Sequence, residues 1–298
     1  MNQSVISKNP VILYGSNGML GHVLCSRLVT SGFHVIPVFR NNTYIKYFSQ
    51  LGISKSDMIF GEHVYHENIE QQIEQFRPRY IINCAGAIKQ KMTPSTKTSD
   101  SWINAAFPHL IAKAADSIGC KVIQISTDCV FSGNEQYYTE EDQVSPIDDY
   151  ALSKFSGELS GNHLTLRTSM IGYQLNGIEG LLEWFLSNVG ETINGYTNAF
   201  FSGLTTSALS DIIVSLIKQD VPITGLYHVA ANRIDKYSLL CNLRERLNVD
   251  IKIAPSSSFL CDRSLSPAKF QRDTNIRIPQ WDEMIENIEG RLYRFNSL

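Results

Sequence analysis

Val11-Ile-Leu-Tyr-Gly15-Ser-Asn-Gly18-Met-Leu-Gly21 is a short apolar run broken by glycine, and apolar positions at Val23, Leu24, Leu28 and Val29 continue it with helical spacing. The order reads as strand, glycine turn, helix. Glycines at 15, 18 and 21 let the main chain come close to a pyrophosphate and leave amide groups at a helix amino end, where the dipole favours anions. Gly15, Ser16, Asn17, Gly18, Met19, Leu20 and Gly21 are therefore the expected seat of a dinucleotide, because the turn leaves a first strand and opens a helix within βαβ length. The plain alternative is a structural turn.

Alternation of strand and helix continues outward from this unit. His34-Val-Ile-Pro-Val-Phe-Arg40 reads as a second strand ending in arginine, where an NAD-preferring site usually carries a carboxylate. Arg40, with Asn41 beside it, suits a 2′-phosphate; NADPH is the expected cofactor and NADH the alternative, unless Arg40 is merely a solvent-facing strand end. Glu67 to Phe76 is a helical stretch with Ile69, Ile73 and Phe76 on one side, closed by Arg77-Pro78. Tyr80-Ile-Ile-Asn83-Cys84-Ala85-Gly86 then runs apolar into small residues against which a ribose or nicotinamide can lie, with Asn83 bracing the strand ends. Ser99-Asp100 is the expected amino cap of a helix carrying Trp102, Ile103, Leu110 and Ile111. Asn104 on that helix is either a satisfied buried amide or an active-site brace. Lys121 to Thr127 is a further strand, ending in hydroxyls at the carboxyl end, where parallel α/β sheets place ligands. The fold class expected is α/β: a Rossmann-like doubly wound parallel sheet with a smaller C-terminal substrate-binding cap.

Composition narrows the functions. The 298 residues are 43% hydrophobic and 18% charged, which is ordinary globular composition, and 26 Lys+Arg against 29 Asp+Glu give a net charge of -3. That balance makes no global basic field, so no nucleic-acid partner is expected. Cys25, Cys84, Cys120, Cys129, Cys241 and Cys261 are scattered without a C-x-x-C pair, which suggests neither a zinc site nor a disulfide framework. Reduced thiols in a cytoplasm are the simplest expectation. No stretch reaches the roughly 18 apolar residues that span a bilayer, so neither membrane nor secretion signal is expected.

Tyr150-Ala-Leu-Ser-Lys154 carries the candidate chemistry. Residues four apart share a helix face, so the phenol and the ammonium point into one pocket about a turn apart. A phenol titrates near about 10, and a neighbouring cation lowers that value. Such a pair suits passing a proton to a carbonyl oxygen while hydride reaches its carbon. Taken alone, the spacing also describes an ordinary solvated helix face.

Gly15-Ser-Asn-Gly18-Met-Leu-Gly21, Asn83-Cys-Ala-Gly86, Ser126-Thr-Asp-Cys-Val-Phe131 and Tyr150-Ala-Leu-Ser-Lys154 follow the order and spacing of the extended short-chain dehydrogenase/reductase superfamily, which the chain resembles. Ser126 to Phe131 and Leu164-Thr-Leu-Arg-Thr-Ser169 look most like its dTDP-4-dehydrorhamnose reductase branch of nucleotide-sugar reductases. The resemblance extends to about Thr206 and is looser beyond. It implies Thr127 as the hydroxyl on the substrate carbonyl, Tyr150 as proton donor, and Lys154 as the residue that binds the nicotinamide ribose and lowers the tyrosine pKa. It implies reduction of a nucleoside-diphosphate 4-keto-6-deoxyhexose, with Cys129, Arg167, Thr168, Trp184 and Asn198 taken to line the sugar-nucleotide site. Cys129 stands where the rhamnose-pathway enzymes carry tyrosine and where GDP-L-fucose synthase carries its epimerising cysteine. Thr168 to Tyr173 offers no partner histidine, so Cys129 is read as pocket lining. A second departure is Phe200 to Thr206, which replaces the branch's proline-containing glycine turn.

Residues 1–169 with about 201–230 are expected to form the NADP-binding domain, and about 170–200 with 231–298 the sugar-nucleotide domain. Gly225-Leu-Tyr-His-Val-Ala230 is expected to rejoin the main sheet, with His228 structural. Tyr237 to Leu247 reads as an amphipathic helix and about Gln280 to Arg294 as a last helix with Trp281, Met284, Ile285 and Ile288 on one face. Trp184 serves either as core or as a stacking platform, and Arg263 either takes a phosphate or stays on the surface. Rival functions are an epimerase or dehydratase that retains its cofactor, and a non-catalytic dinucleotide-binding partner protein. A homodimer stays open as the assembly.

Overall fold

The computed structural model describes residues 10–288 other than 66, 67, 94 and 176. β1 (Val11–Tyr14) and β2 (Val35–Phe39) are buried along their whole length, as strands covered on both faces by helices must be. α1 (Met19–Thr30) connects them, and β2 pairs parallel with the short β3 (Ile59–Phe60) through Val38 and Phe39. Pro37 lies before that pairing begins, so its missing N–H costs no ladder bond there. α2 (Ile45–Gln50) precedes β3 and α3 (Ile69–Phe76) follows it, so the expected helix begins at Ile69, and Glu67 lies outside the described residues. On the other side of β1 come β4 (Tyr80–Asn83), β5 (Lys121–Thr127) and β6 (Leu164–Thr168), again all parallel. The chain thus winds outward in both directions from the gap between β1 and β4, and the carboxyl ends of those two strands form the crevice where such sheets bind ligands.

α4 (Lys97–Asp116) begins earlier than the Ser99-Asp100 cap expected from sequence. Thr93 and Thr96 form a hydroxyl-bonded turn that starts the helix one turn sooner, and Ser99 Oγ bonds back to the Thr96 carbonyl. α5 (Asp149–Ser156) crosses α4 at close quarters: a Cβ on Gly157 would sit 1.9 Å from the Asn104 carbonyl oxygen. Asp148 caps α5 by accepting from Ala151 N at 2.8 Å.

The remaining chain adds small elements around the carboxyl end of the sheet. β7 (Met170–Ile171) pairs with β10 (Leu204–Thr205), and β8 (Thr192–Tyr196), which follows α6 (Leu181–Ser187), pairs with β13 (Lys252–Ser256). β9 (Ala199–Phe201) lies between β12 (Ile234–Asp235) and β14 (Cys261–Asp262). α7 (Thr206–Lys218) packs on α1 and leads into β11 (Gly225–His228), which joins β6 as expected and completes a seven-stranded sheet in the order β11-β6-β5-β4-β1-β2-β3. α8 (Lys236–Leu247) buries Leu239, Leu240 and Leu243; α9 (Ala268–Thr274) and α10 (Trp281–Glu286) follow. Trp281, Met284, Ile285 and Ile288 are buried together; the last helix ends at Glu286 with Asn287 as its cap, short of the Arg294 expected from sequence.

His228 closes β11 in a fully buried position, its Nδ1 bonded to the Tyr138 carbonyl oxygen at 2.9 Å and its N–H donated to Glu140. Burial first, and the Arg167 guanidinium second, lower its pKa to about 3. A histidine whose folded pKa lies below its unfolded value stabilises the fold fully above the unfolded value and loses that contribution as pH falls toward the folded one. Between about pH 6.5 and about 3, His228 should therefore cost on the order of 1.4 kcal/mol per pH unit. Urea unfolding at stepped pH should show that slope in the parent chain and a flatter one in His228→Gln.

Candidate active site

Three main-chain segments meet at the carboxyl end of the sheet. Gly15 has φ +71, and a Cβ there would sit 2.5 Å from Ala85 N, so the turn after β1 lies against the turn after β4 with no room for a side chain. Gly18 N–H donates to the Gly15 carbonyl at 2.9 Å, and a Cβ on Gly21 would approach that oxygen to 2.1 Å. The amino end of α1 is thereby pulled onto β1, while buried Ser16 donates its hydroxyl to Val38 O at 3.1 Å. Asn17, Met19 and Leu20 complete this turn and the first residues of α1.

Asn83 is fully buried, donating to Gln124 Oε1 at 2.7 Å and accepting from Ala85 N at 3.1 Å. It braces β4 against β5 as expected. Asn104 is the satisfied buried amide that its sequence context allows: fully buried, it bonds Ala87 N and O and Ser153 Oγ, tying the loop beyond Gly86 to α5. Cys84 beside the loop is a thiol pushed up to about 12 by burial, with the Lys154 ammonium opposing. Arg40 is exposed at the end of β2, its guanidinium 6.0 Å from the centre of the Tyr65 ring.

Thr127 ends β5, accepting from Cys129 N at 3.2 Å and donating to Asp128 Oδ1 at 3.2 Å. Its hydroxyl lies toward the Tyr150 phenol, whose pKa it lowers. Burial raises the Tyr150 pKa above the ordinary phenol value, Cys129 adds to that, and the Thr127 hydroxyl opposes it. Lys154 is buried with its Nζ donating to the Ile125 carbonyl at 2.7 Å; burial lowers its pKa to about 8, with Glu158 the leading opposing influence. The phenol depression expected from Lys154 is therefore not what this geometry gives. The ammonium is turned into the sheet, and desolvation of the phenol dominates.

Cys129 lies beside Arg263, whose NH1 is 3.5 Å from its Sγ; burial and then Asp128 push the thiol up to about 12. Lys236, which no sequence pattern singled out, and Arg263 stand near it with Asp128, which is buried, its pKa raised by desolvation and opposed by Arg263 and Lys236. Lys236 sits 3.9 Å above the Phe201 ring with its pKa lowered by burial to about 8.

The other expected substrate residues fall in different places. Arg167 is 3% exposed, and its Nε and NH2 are taken by Glu158 at 2.7 and 2.8 Å, so its guanidinium has no free edge for a sugar nucleotide. Thr168 is buried opposite Thr127 in the β5-β6 register and bonds the Ser169 carbonyl. Trp184 is 40% exposed on α6, hence not core. Asn198 lies in the turn between β8 and β9, where its carbonyl accepts from Cys261 N at 3.1 Å and its side chain reaches Ser257 O at 3.5 Å.

A parallel sheet with a glycine turn at its switch point, and a Thr, Tyr and Lys gathered at the end of the neighbouring strand, define an extended short-chain dehydrogenase/reductase. Within that class, the family described as RmlD substrate binding domain matches residues 9–292, and the chain belongs to it. It is 24% identical over 316 residues to dTDP-4-dehydrorhamnose reductase of Escherichia coli strain K12, covering 97% of this chain and 99% of that protein. It is also 24% identical over 257 residues to methionine adenosyltransferase 2 subunit beta of Rattus norvegicus, covering 82% of this chain and 74% of the relative. The structure of dTDP-4-dehydrorhamnose reductase from Bacillus anthracis in complex with NADP shares the fold at TM-score 0.76 and 23% identity, over 94% of this chain and 98% of that one.

Proposed function

We propose that this protein reduces the 4-keto group of a nucleoside-diphosphate 4-keto-6-deoxyhexose with NADPH, giving a 6-deoxysugar nucleotide for surface-polysaccharide assembly in the cytoplasm. What supports this reading is the placement of the Thr127 hydroxyl and the buried Tyr150 phenol, whose pKa that hydroxyl lowers, at the end of β5 on the same rim of the sheet as the glycine turn. That turn fits a dinucleotide: Gly15 and Gly21 have no room for a Cβ, which leaves bare main chain and the amino end of α1 for a pyrophosphate. Gly15 to Gly21, Arg40, Asn83 to Gly86, Tyr150 and Lys154 are the residues that would hold it, with Arg40 free at the strand end for a 2′-phosphate. NADPH supplies a hydride equivalent to the keto carbon.

The chain's own groups do the rest. Thr127 orients the sugar carbonyl by a hydrogen bond. Tyr150, kept protonated by burial, donates its proton to the carbonyl oxygen as charge develops there. Lys154 holds a positive charge near that oxyanion and the ribose hydroxyls. Cys129, Trp184 and Asn198 line the sugar-nucleotide side, whereas Arg167 and Thr168 support it from within the sheet. Residues 1–169 with about 201–230 serve the dinucleotide, and about 170–200 with 231–298 the sugar nucleotide. Among the described residues no helix is long and apolar enough to cross a membrane. Exposed Leu110 on α4 and Leu152 and Phe155 on α5 suit a homodimer contact, which light scattering on the purified chain checks by giving twice the monomer mass.

The likeness to a methionine adenosyltransferase subunit brings up a partner-protein role, but retention of Thr127, Tyr150 and Lys154 together favours catalysis. Tyr150→Phe should lower kcat by on the order of 10²–10⁴-fold while NADPH binding persists, read as NADPH absorbance with a panel of nucleoside-diphosphate 4-ketosugars. No turnover by the parent chain across the panel would reject the reading. Arg40→Ser should cut the preference for NADPH over NADH by about tenfold or more in kcat/KM, since it removes a charge-assisted phosphate contact.

A further inference from the structure

Two consecutive residues near the end of β5 are each gripped by a side chain from one face of α5 and the turn beyond it, and the next residue, Thr127, lies toward Tyr150 on that face. The Ile125 carbonyl accepts from Lys154 at 2.7 Å, and Ser126 Oγ donates to Glu158 Oε1 at 2.8 Å. Residues 150, 154 and 158 are spaced four apart, so one helical face supplies all three. The helix ends at Ser156, but Gly157 N and Glu158 N continue onto the Lys154 and Phe155 carbonyls at 3.2 and 3.1 Å, which keeps Glu158 in line. Two of these side chains belong to the reaction proposed above; Glu158 has no part in it. Its carboxylate is fixed from the far side by the two-pronged bond from Arg167, and the pair is 10% and 3% exposed. Arg167 is itself wedged over the Phe131 ring at 5.3 Å and against His228.

We propose that Glu158 is a positioning residue of the active site: anchored by Arg167, it fixes Ser126 and so the strand end that presents Ile125 to Lys154 and Thr127 to Tyr150, and it supplies the buried anion that keeps Lys154 an ammonium. The inference rests on the reductase reading for what Tyr150 and Lys154 do to substrate, while the arrangement itself stands without it. The titratable groups that face Lys154 are Glu158 from its own segment and Cys84 from the loop after β4. From β5 it meets the Ile125 carbonyl, and α4 contributes only the uncharged Asn104 nearby. Cys84 is held protonated, so Glu158 is the one carboxylate among them.

The sign follows from burial. Lys154, with its pKa lowered to about 8, carries its charge below that pH and loses it above; removing the Glu158 charge moves that loss downward. In Glu158→Gln the affinity for NADPH, followed by nicotinamide fluorescence of the full chain across pH 6 to 9.5, should fall at a pH lower by about one unit or more than in the parent. Glu158→Asp, which keeps the charge and shortens the reach, should leave that pH near the parent's and lower kcat on the ketosugar. The double variant Glu158→Gln/Arg167→Met removes the buried pair together and leaves no uncompensated charge; because the Arg167 cation goes as well, its shift should be downward but smaller than that of the single variant. An unmoved alkaline limb in either Gln variant, with a cooperative thermal transition proving it folded, overturns the proposal. The binding readout separates the two readings: a parent chain that binds NADPH with the expected limb yet reduces no ketosugar refutes the reductase, and leaves the role of Glu158 to be decided by the variants.

Discussion

The approach of the Gly15 turn to the Cys84-Ala85 turn is the constraint on which the site depends. A Cβ at Gly15 would lie 2.5 Å from main-chain nitrogen, so neither turn can move outward to admit a side chain without separating β1 from β4. Those two strands border the switch point of the sheet, and everything that would hold a dinucleotide is measured from there. Ser16 and Asn83 secure the arrangement from either side, one on β2 and the other on β5, and both are fully buried with their hydrogen bonds made.

The second half of the site is set by how α5 lies along β5. Gly157 allows α5 to touch the Asn104 carbonyl of α4, and Asn104 reaches from there to Ser153 and to the loop after β4. One amide therefore links the proposed dinucleotide loop to the helix carrying Tyr150 and Lys154. Beneath it, the Glu158–Arg167 pair is buried in a way that is weak evidence for stability, because desolvation offsets much of the attraction; breaking one partner of such a pair costs about 3–5 kcal/mol. Its value is better sought in the geometry it fixes at Ser126 and Thr127.

Much of the fold was legible because the signals are local. Parallel strands buried on both faces read as apolar runs, and glycine punctuation marks where they end. The expected return of Gly225 to His228 to the main sheet is met by β11, and the amphipathic helix expected from Tyr237 to Leu247 is found as α8. The amino end of α4 was misplaced because a hydroxyl turn at Thr93 and Thr96 competed with the Ser99-Asp100 cap. Glu158 was within reach of the same spacing rule that singled out Tyr150 and Lys154, being four residues further along that face.

By itself the sequence determined the βα order, the glycine turn, and the placing of Tyr150 and Lys154 one turn apart on a helix, since each depends on spacings within a single element or its immediate neighbours. Only the tertiary structure decided what those groups face. Lys154 turns to the Ile125 carbonyl, Arg167 is spent on Glu158, and Asp128, Arg263 and Lys236 converge beside Cys129. Those partners lie far apart along the chain and meet only after the sheet has closed. Desolvation, which sets the proton affinity of Tyr150, Lys154 and His228, is a property of packing and has no signature in residue order.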